Sequence, residues 1–473
     1  MASLQTITSK NCHIVIVPYP GRGHINPMFT LCNQLVSSPS GTNLNISFTI
    51  VLTEEWVTLI NPNDKPANAC FATIPNVLPS EHIRGADNEG FLHAVYTKME
   101  EHVERILDAL EAPPNVIIAD TFLPWVVGVG TRRNIPVASF WPLLACLFPA
   151  LHHYDLFVSN NHYPLDSLMG ERGDERVDYI PGIGSTRLAD LPLALHSYKK
   201  RMLDLMLDAI SYMPKAQFII LRTLEELERP AIDAMKTILP STSIYPIGPA
   251  IILPKPENNQ TSDHHCLDDQ PDYIKWLNSQ PEKSVLYVSL GSHLSPSMAQ
   301  LEELALGLCD SRVPFLFVGR EETSFLKDVC GDHKDGFIVP WCDQMKVLYH
   351  KSIGGFLNHA GLNSVLESAF AGVPMLTFPL STDQPMYSKL AVEDWKIGMR
   401  LRDKIEKDIL IKREKVKELV IKFMDFESEE VKEMNKNSKE FKQVVWAAIA
   451  KDSTAEHYVG EFLSEISTKN ATN

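Results

Sequence analysis

Short apolar runs alternate along the chain with amphipathic stretches, and small or polar residues bunch where the runs end. His13–Tyr19 is a β-rich run stopped by Pro20–Gly21, and Ile25–Val36 follows with apolar residues at helical spacing. Asn43–Leu52 and Phe71–Ile74 predict two further strands, and Leu92–Leu110 predicts one amphipathic helix with its charges outward. Asn115–Ala119 is a continuous apolar strand stopped at Asp120–Thr121; Pro136–Phe140 repeats the pattern and leads to an apolar helix near Leu143–His153. Ser159–Pro192 is rich in Gly, Pro and charge and predicts a long surface loop of the kind that carries function. Helices over Leu203–Met213 and Leu224–Ile238 and strands over Phe218–Leu221 and Ser243–Ile247 complete the first half.

Pro249–Pro271, with Pro254, Pro256 and the polar run Asn258–Ser262, has the composition of a linker. The alternation then restarts: strand Ser284–Ser289, helix Met298–Cys309, strand Phe315–Val318, strand Ile353–Leu357, helix Asn363–Ala371 and strand Pro374–Phe378. From Lys407 onward, charged helix-favouring sequence predicts two or three closing helices. Strands alternating with helices in both halves indicate an α/β protein of two domains with mainly parallel sheets. The divisions fall at 1–248, 249–271 and 272–473.

A length of 473 residues agrees with two domains, and 44% hydrophobic with 22% charged residues is globular composition. The net charge of -15 disfavours nucleic-acid or anionic-membrane partners, though not a small anion bound by local donors. The eight cysteines are scattered with no C-x-x-C pair, which suggests neither zinc nor a redox dithiol. His13–Val17 is too short for a signal peptide and runs into Pro18; no run of about 18 apolar residues occurs. A cytoplasmic location and no stable membrane insertion are therefore expected, and a monomer is the default expectation.

Candidate chemistry gathers at predicted strand ends. Asn358–Gly361 joins a strand to a helix, leaving unpaired backbone N–H groups and a helix dipole facing any anion. Ser381–Gln384 is a second polar turn at the end of a neighbouring strand, and Ser289–Ser292 a third. In the first half, His24 starts a helix and Asp120 ends a strand; together they form a candidate base and its orienting carboxylate. Taken singly, His24 reads first as an ordinary helix-start residue, and Asp120 also fits an ordinary helix N-cap. Gly21 and Gly23 lack the third glycine of a dinucleotide fingerprint, since Asn26 stands there. No G-x-S-x-G, Walker lysine or D-x-D pair occurs, so the nucleophile is assigned to the substrate and no metal site is expected.

Trp341–Gln384 resembles the signature box of plant family 1 UDP-glycosyltransferases, which act in secondary metabolism. The match covers Trp341 and Gln344, Gly354–Phe356, His359–Ser364, Glu367, Ala371–Pro374 and Asp383–Gln384; the GRGHINP opening and YVSLGS extend it along the chain. The resemblance implies the GT-B fold, two facing Rossmann-like domains, the first binding an acceptor and the second a UDP-sugar. It implies that Trp341 stacks on uracil, with Cys342 and Gln344 holding the nucleoside and Glu367 the ribose. His359, Asn363, Ser364 and Ser292 would hold the diphosphate, with Gly361 and the Leu362 backbone in the same turn. Asp383 and Gln384 would bond the sugar, and a final Gln is what the family usually has with glucose donors, which implies glucose. His24 would be the base and Asp120 its partner in an inverting, metal-independent transfer to a hydroxyl of a small lipophilic acceptor, such as a phenolic, flavonoid, terpenoid or hormone. UDP-glucose is then a co-substrate and no further cofactor is implied.

Three positions depart from the family pattern. Ala360 stands where the family usually has Cys, a mild change; Leu362 stands where it usually has Trp, and Pro142 where it often has Thr or Ser near the sugar. The last two motivate an alternative: a UDP-sugar-binding protein with weak or lost transferase activity. Phe122, Trp125, Trp141 and Phe148 are candidate walls of the acceptor pocket or plain core.

Overall fold

The structure is a computed structural model that describes all residues except 1–9, 40–43, 82–87, 252–269, 292–294, 332, 406–408 and 469–473. Five strands open the chain: β1 (Lys10–Val17), β2 (Leu44–Thr53), β3 (Ala69–Ile74), β4 (Val116–Asp120) and β5 (Val137–Trp141). A short antiparallel ribbon follows, β6 (Arg176–Val177) with β7 (Thr186–Arg187), and then β8 (Phe218–Leu221) and β9 (Ser243–Pro246). The second half supplies β10 (Val285–Ser289), β11 (Phe315–Val318), β12 (Gly336–Val339), β13 (Ile353–Asn358), β14 (Met375–Thr377) and β15 (Gly398–Arg400). The first sheet has the order β3-β2-β1-β4-β5-β8-β9 and the second β12-β11-β10-β13-β14-β15. Every pairing described within them is parallel.

Parallel strands need crossovers, and helices placed there cover both faces, which is why β4, β5, β8 and β10 are buried at every position. In each sheet the winding direction reverses beside the first strand of its half, between β1 and β4 and between β10 and β13. The crevice at such a reversal, at the carboxyl ends of the strands, is where open α/β sheets bind ligands.

Two expectations are corrected. Leu92–Leu110 is two helices, Asn88–Thr97 and Glu100–Asp108, not one. At the break the Thr97 hydroxyl donates to the His93 carbonyl at 2.7 Å, the local side-chain bond that competes with helix continuation. Ser159–Pro192 is not a surface loop: Leu165, Val177, Ile180, Leu188 and Leu191 are buried in a hydrophobic cluster that also contains Phe370 and Tyr387 of the second half. The expected closing helices are Arg413–Phe423, Glu429–Ala448 and Thr454–Thr468, and they do not all pack on the second sheet. The last packs Val459, Phe462, Leu463 and Ile466 into the core of the first sheet, beside Ile14, Phe218 and Tyr245. The expected linker lies mostly outside the described residues; its first three, Pro249, Ala250 and Ile251, are buried.

Candidate functional site

Val17 pairs with Ala119, so the turns that follow β1 and β4 open side by side. The helix Arg22–Ser37 begins directly after Gly21, whose carbonyl accepts from the His24 amide at 3.0 Å, placing His24 in the first turn. The His24 Nδ1 lies 2.7 Å from Oδ2 of Asp120. Asp120 is buried, and its Oδ1 accepts from the Phe122 amide at 3.0 Å, which fixes the carboxylate plane. A carboxylate at Nδ1 selects the tautomer protonated there, leaving the Nε2 lone pair free to take a proton. The His24 side chain is 26% exposed, and its ring is flanked by Tyr19 at 4.8 Å and Phe122 at 6.4 Å. Of the four aromatics considered for an acceptor wall, Phe122 and Trp125 are half-buried, whereas Trp141 and Phe148 are fully buried core.

In the second half, Ser289 pairs with Asn358 and Asn358 with Thr377, so the turns after β10, β13 and β14 share one edge. The buried Asn358 accepts the Ala360 amide at 2.8 Å, and Ala360 sits in the left-handed region at φ 56°. This turn carries His359 inward with a shielded Nδ1 that has no hydrogen-bond partner. Its ring lies where a Cβ on Gly291 or Gly361 would come within 2.5 Å and 2.3 Å respectively, so both positions need glycine for close approach. Burial pulls the His359 pKa down to about 4, keeping the imidazole neutral. The helix Leu362–Ala371 then starts from Gly361 with no side-chain cap, leaving its first N–H groups available. An unpartnered imidazole nitrogen beside uncapped helix N–H groups suits an anion with several acceptor oxygens.

Trp341 is 71% exposed, an indole face uncovered by the protein. Gln344 begins the helix Gln344–Leu348 and donates from Nε2 to Oε2 of Glu367 at 2.6 Å, while its Oε1 accepts from the Tyr287 hydroxyl at 3.1 Å. The same hydroxyl lies 3.3 Å from Sγ of the buried Cys342. Burial pushes the Glu367 carboxyl up, against the opposing bond from Gln344. At the third turn, the Gln384 Oε1 accepts from the Leu380 and Ser381 amides at 2.7 Å and 2.9 Å, leaving its NH2 as the unused end. Asp383 accepts from the Thr382 hydroxyl at 2.6 Å, and the Thr382 carbonyl accepts from Leu193 N at 2.8 Å, tying this turn to the first half. Ser364 is buried in the first turn of its helix and Asn363 is exposed beside it. Leu362 is half-buried and packs against the cluster containing Trp141 and Leu144. Ser292 lies outside the described residues.

The family model described as UDP-glucoronosyl and UDP-glucosyl transferase matches residues 225–410. The chain is 43% identical over 459 residues to UDP-glycosyltransferase 87A2 of Arabidopsis thaliana, covering 97% of each chain. It belongs to the plant UDP-glycosyltransferases. A further relative, 7-deoxyloganetin glucosyltransferase of Catharanthus roseus, is 31% identical with 92% of each chain covered. Among solved structures, Phytolacca americana UGT2 complexed with UDP-2fluoro-glucose and pterostilbene superposes with a TM-score of 0.78 at 26% identity, over 96% of this chain and 100% of that one. The fold of this glycosyltransferase is GT-B, and the chain is a UDP-glycosyltransferase enzyme as expected.

The structure of this glycosyltransferase also brings forward residues that sequence reasoning did not single out. Tyr287 joins Cys342 to Gln344 through one hydroxyl. Gly291 makes room for His359, and its φ of 86° was foreshadowed only by the Ser289–Ser292 turn composition. Arg222 donates to Asn363 Oδ1 from the other half of the chain. No local pattern marks that last contact, because its two residues lie 141 positions apart.

Proposed function

We propose that the enzyme transfers glucose from UDP-glucose to a hydroxyl of a small lipophilic acceptor, inverting the anomeric centre without a metal. In this reading residues 1–248 take the acceptor and 272–473 the donor, joined by 249–271. His24 Nε2 removes the acceptor proton while the acceptor oxygen attacks the anomeric carbon from the face opposite UDP. The bond from that carbon to the β-phosphate oxygen breaks, and UDP leaves with the electron pair. Asp120 holds the imidazole and stabilises the imidazolium formed. The uridine end is assigned to Trp341, Cys342, Gln344 and Glu367. The diphosphate is assigned to Ser292, His359, Gly361, the Leu362 backbone, Asn363 and Ser364, where helix N–H groups offset the charge gathering on the leaving group. Asp383 and the free amide of Gln384 are assigned to the sugar hydroxyls.

The observation that carries this reading is the 2.7 Å His24–Asp120 bond, with an imidazole about a quarter exposed poised on a buried carboxylate. It also weighs against the alternative of a binding protein with lost transfer, since Leu362 and Pro142 leave that pair intact. The acceptor class is supported by the aromatic rings around His24 and by relatives whose names include a glucosyltransferase of 7-deoxyloganetin. The test is a mass-spectrometric screen of several UDP-sugars against a mixed phenolic and terpenoid library. A β-glucoside formed in the presence of chelator is the expected result. UDP binding with no glycosylated acceptor across the panel would establish the alternative.

A further inference from the structure

Arg222 follows β8 in the first half of the chain and is only 2% exposed. Its Nε donates to the Pro249 carbonyl at 2.9 Å, and its Nη2 donates to Oδ1 of Asn363 in the second half. Both acceptors are neutral, and among the described residues no carboxylate forms an ion pair with this guanidinium. A charge withdrawn from water without a counter-charge is costly. Burial correspondingly pulls the Arg222 pKa down to about 10, opposed in part by the nearby Glu367 carboxylate. Glu367 does not act as a direct partner, because its bond goes to Gln344.

The planar amide of Asn363 turns this contact into a directional device. Arginine has only donors, so the atom facing it must be the amide oxygen, and the NH2 with its two donors points elsewhere. Asn363 is itself exposed in the first turn of Leu362–Ala371, whose leading N–H groups lack a side-chain cap. An anion seated at that helix start would meet the NH2 and receive the counter-charge role that the protein leaves unfilled.

We propose that Arg222 is a positioning residue for the donor diphosphate, reaching across the domains to hold the Asn363 amide toward the phosphate oxygens and to set a fixed positive charge behind them. This rests on the reading of that helix start as the diphosphate site, and not on which sugar is transferred. It predicts that the contribution of Arg222 follows phosphate charge and leaves the nucleoside end untouched.

The test compares UDP, which carries two phosphates, with uridine, which carries none, on the full-length protein. Calorimetry measures UDP affinity and ligand-observed NMR measures uridine. In Arg222→Met, UDP binding weakens at least about tenfold, as loss of a charge-assisted interaction requires, while uridine binding is unchanged. Arg222→Lys restores part of the loss, and unliganded Arg222→Met melts no lower than wild type because an uncompensated charge has gone. Adding Asn363→Ala to Arg222→Met costs less than the sum of the single effects, since the two act as one unit. Arg222→Gln, which keeps a donor for the Pro249 carbonyl, serves in the same comparison if the Met variant does not fold. UDP affinity unchanged, or UDP and uridine weakening together, overturns the role of Arg222. Wild-type protein that binds uridine as tightly as UDP overturns the diphosphate reading itself.

Discussion

A histidine at a helix start has no chemistry until something orients it, and for His24 that something is a carboxylate 96 positions away, held 2.7 Å from Nδ1. The residue types and their strand-end placement were legible in the sequence; the bond was not, because it depends on β1 and β4 being neighbours. His24→Ala should lower kcat by about 10²–10⁴-fold while UDP affinity measured by calorimetry stays near wild type. Normal turnover in that variant would remove His24 from the base role. His359 makes a different prediction, on stability. The folded protein keeps this imidazole neutral to about pH 4, whereas the unfolded chain takes up its proton near 6.5. The unfolded state thus binds the extra proton in this window. The His359 contribution is full above about pH 6.5 and is lost as pH falls toward 4, by roughly 3 kcal/mol at most. His13, His152, His196 and His350 are shifted in the same direction, so the comparison must be with a variant. Denaturant unfolding of His359→Asn should show a shallower decline between pH 6.5 and 4; parallel curves would show that His359 protonates freely when folded.

At the scale of elements, strands and helices with strong periodicity matched the pattern of apolar positions, and the segment 159–192 did not. Its Gly, Pro and charge predict a solvated loop, yet the charges meet partners both within the segment and far along the chain. Arg187 grips Asp190 with Nε and Nη2, both at 2.9 Å, and Arg400 reaches the same carboxylate at 3.1 Å. Glu393 joins Arg400 to Arg176 at 3.0 Å on each side, and Lys404 meets Asp174 at 2.7 Å. This network binds the β6–β7 ribbon to the end of β15. A composition rule reads charge as exposure, and it fails where opposite charges meet across an interface. Asp190→Ala would leave two guanidinium groups facing each other in a largely dry site and should destabilise the protein by about 3 kcal/mol. A shift of the denaturant midpoint is the measurement, and a loss under about 1 kcal/mol would show that Glu393 and Asp403, whose Oδ1 lies 3.0 Å from Nη1 of Arg187, compensate.

For the whole molecule, the decisive feature is how the two sheets are joined. Beyond the linker, the helix Thr454–Thr468 returns to the first sheet, and its Val459, Phe462, Leu463 and Ile466 are all at most 1% exposed there. At about 1.5–3 kcal/mol for each buried side chain, the packing is on the order of 10 kcal/mol, similar to the stability of an entire domain. Removing residues 454–473 should therefore abolish soluble expression or lower Tm steeply, although the helix lies away from the site residues. A truncated chain with wild-type Tm would show that the first sheet does not need this cover. Among the described residues no helix is long and apolar enough to cross a membrane.

By itself the sequence determined the alternation of strand and helix, the two halves, and the clustering of polar residues at strand ends, because these follow from local periodicity and turn chemistry. It also carried the family likeness in Trp341–Gln384, since a site built from one strand–turn–helix unit and its neighbour is mostly contiguous. Only the tertiary structure decided that His24 meets Asp120, that Gly291 makes room for His359, that Asp190 is shared by two arginines and that Arg222 supports Asn363. Each of these joins residues brought together by sheet order or by domain contact, and no local pattern encodes such a meeting.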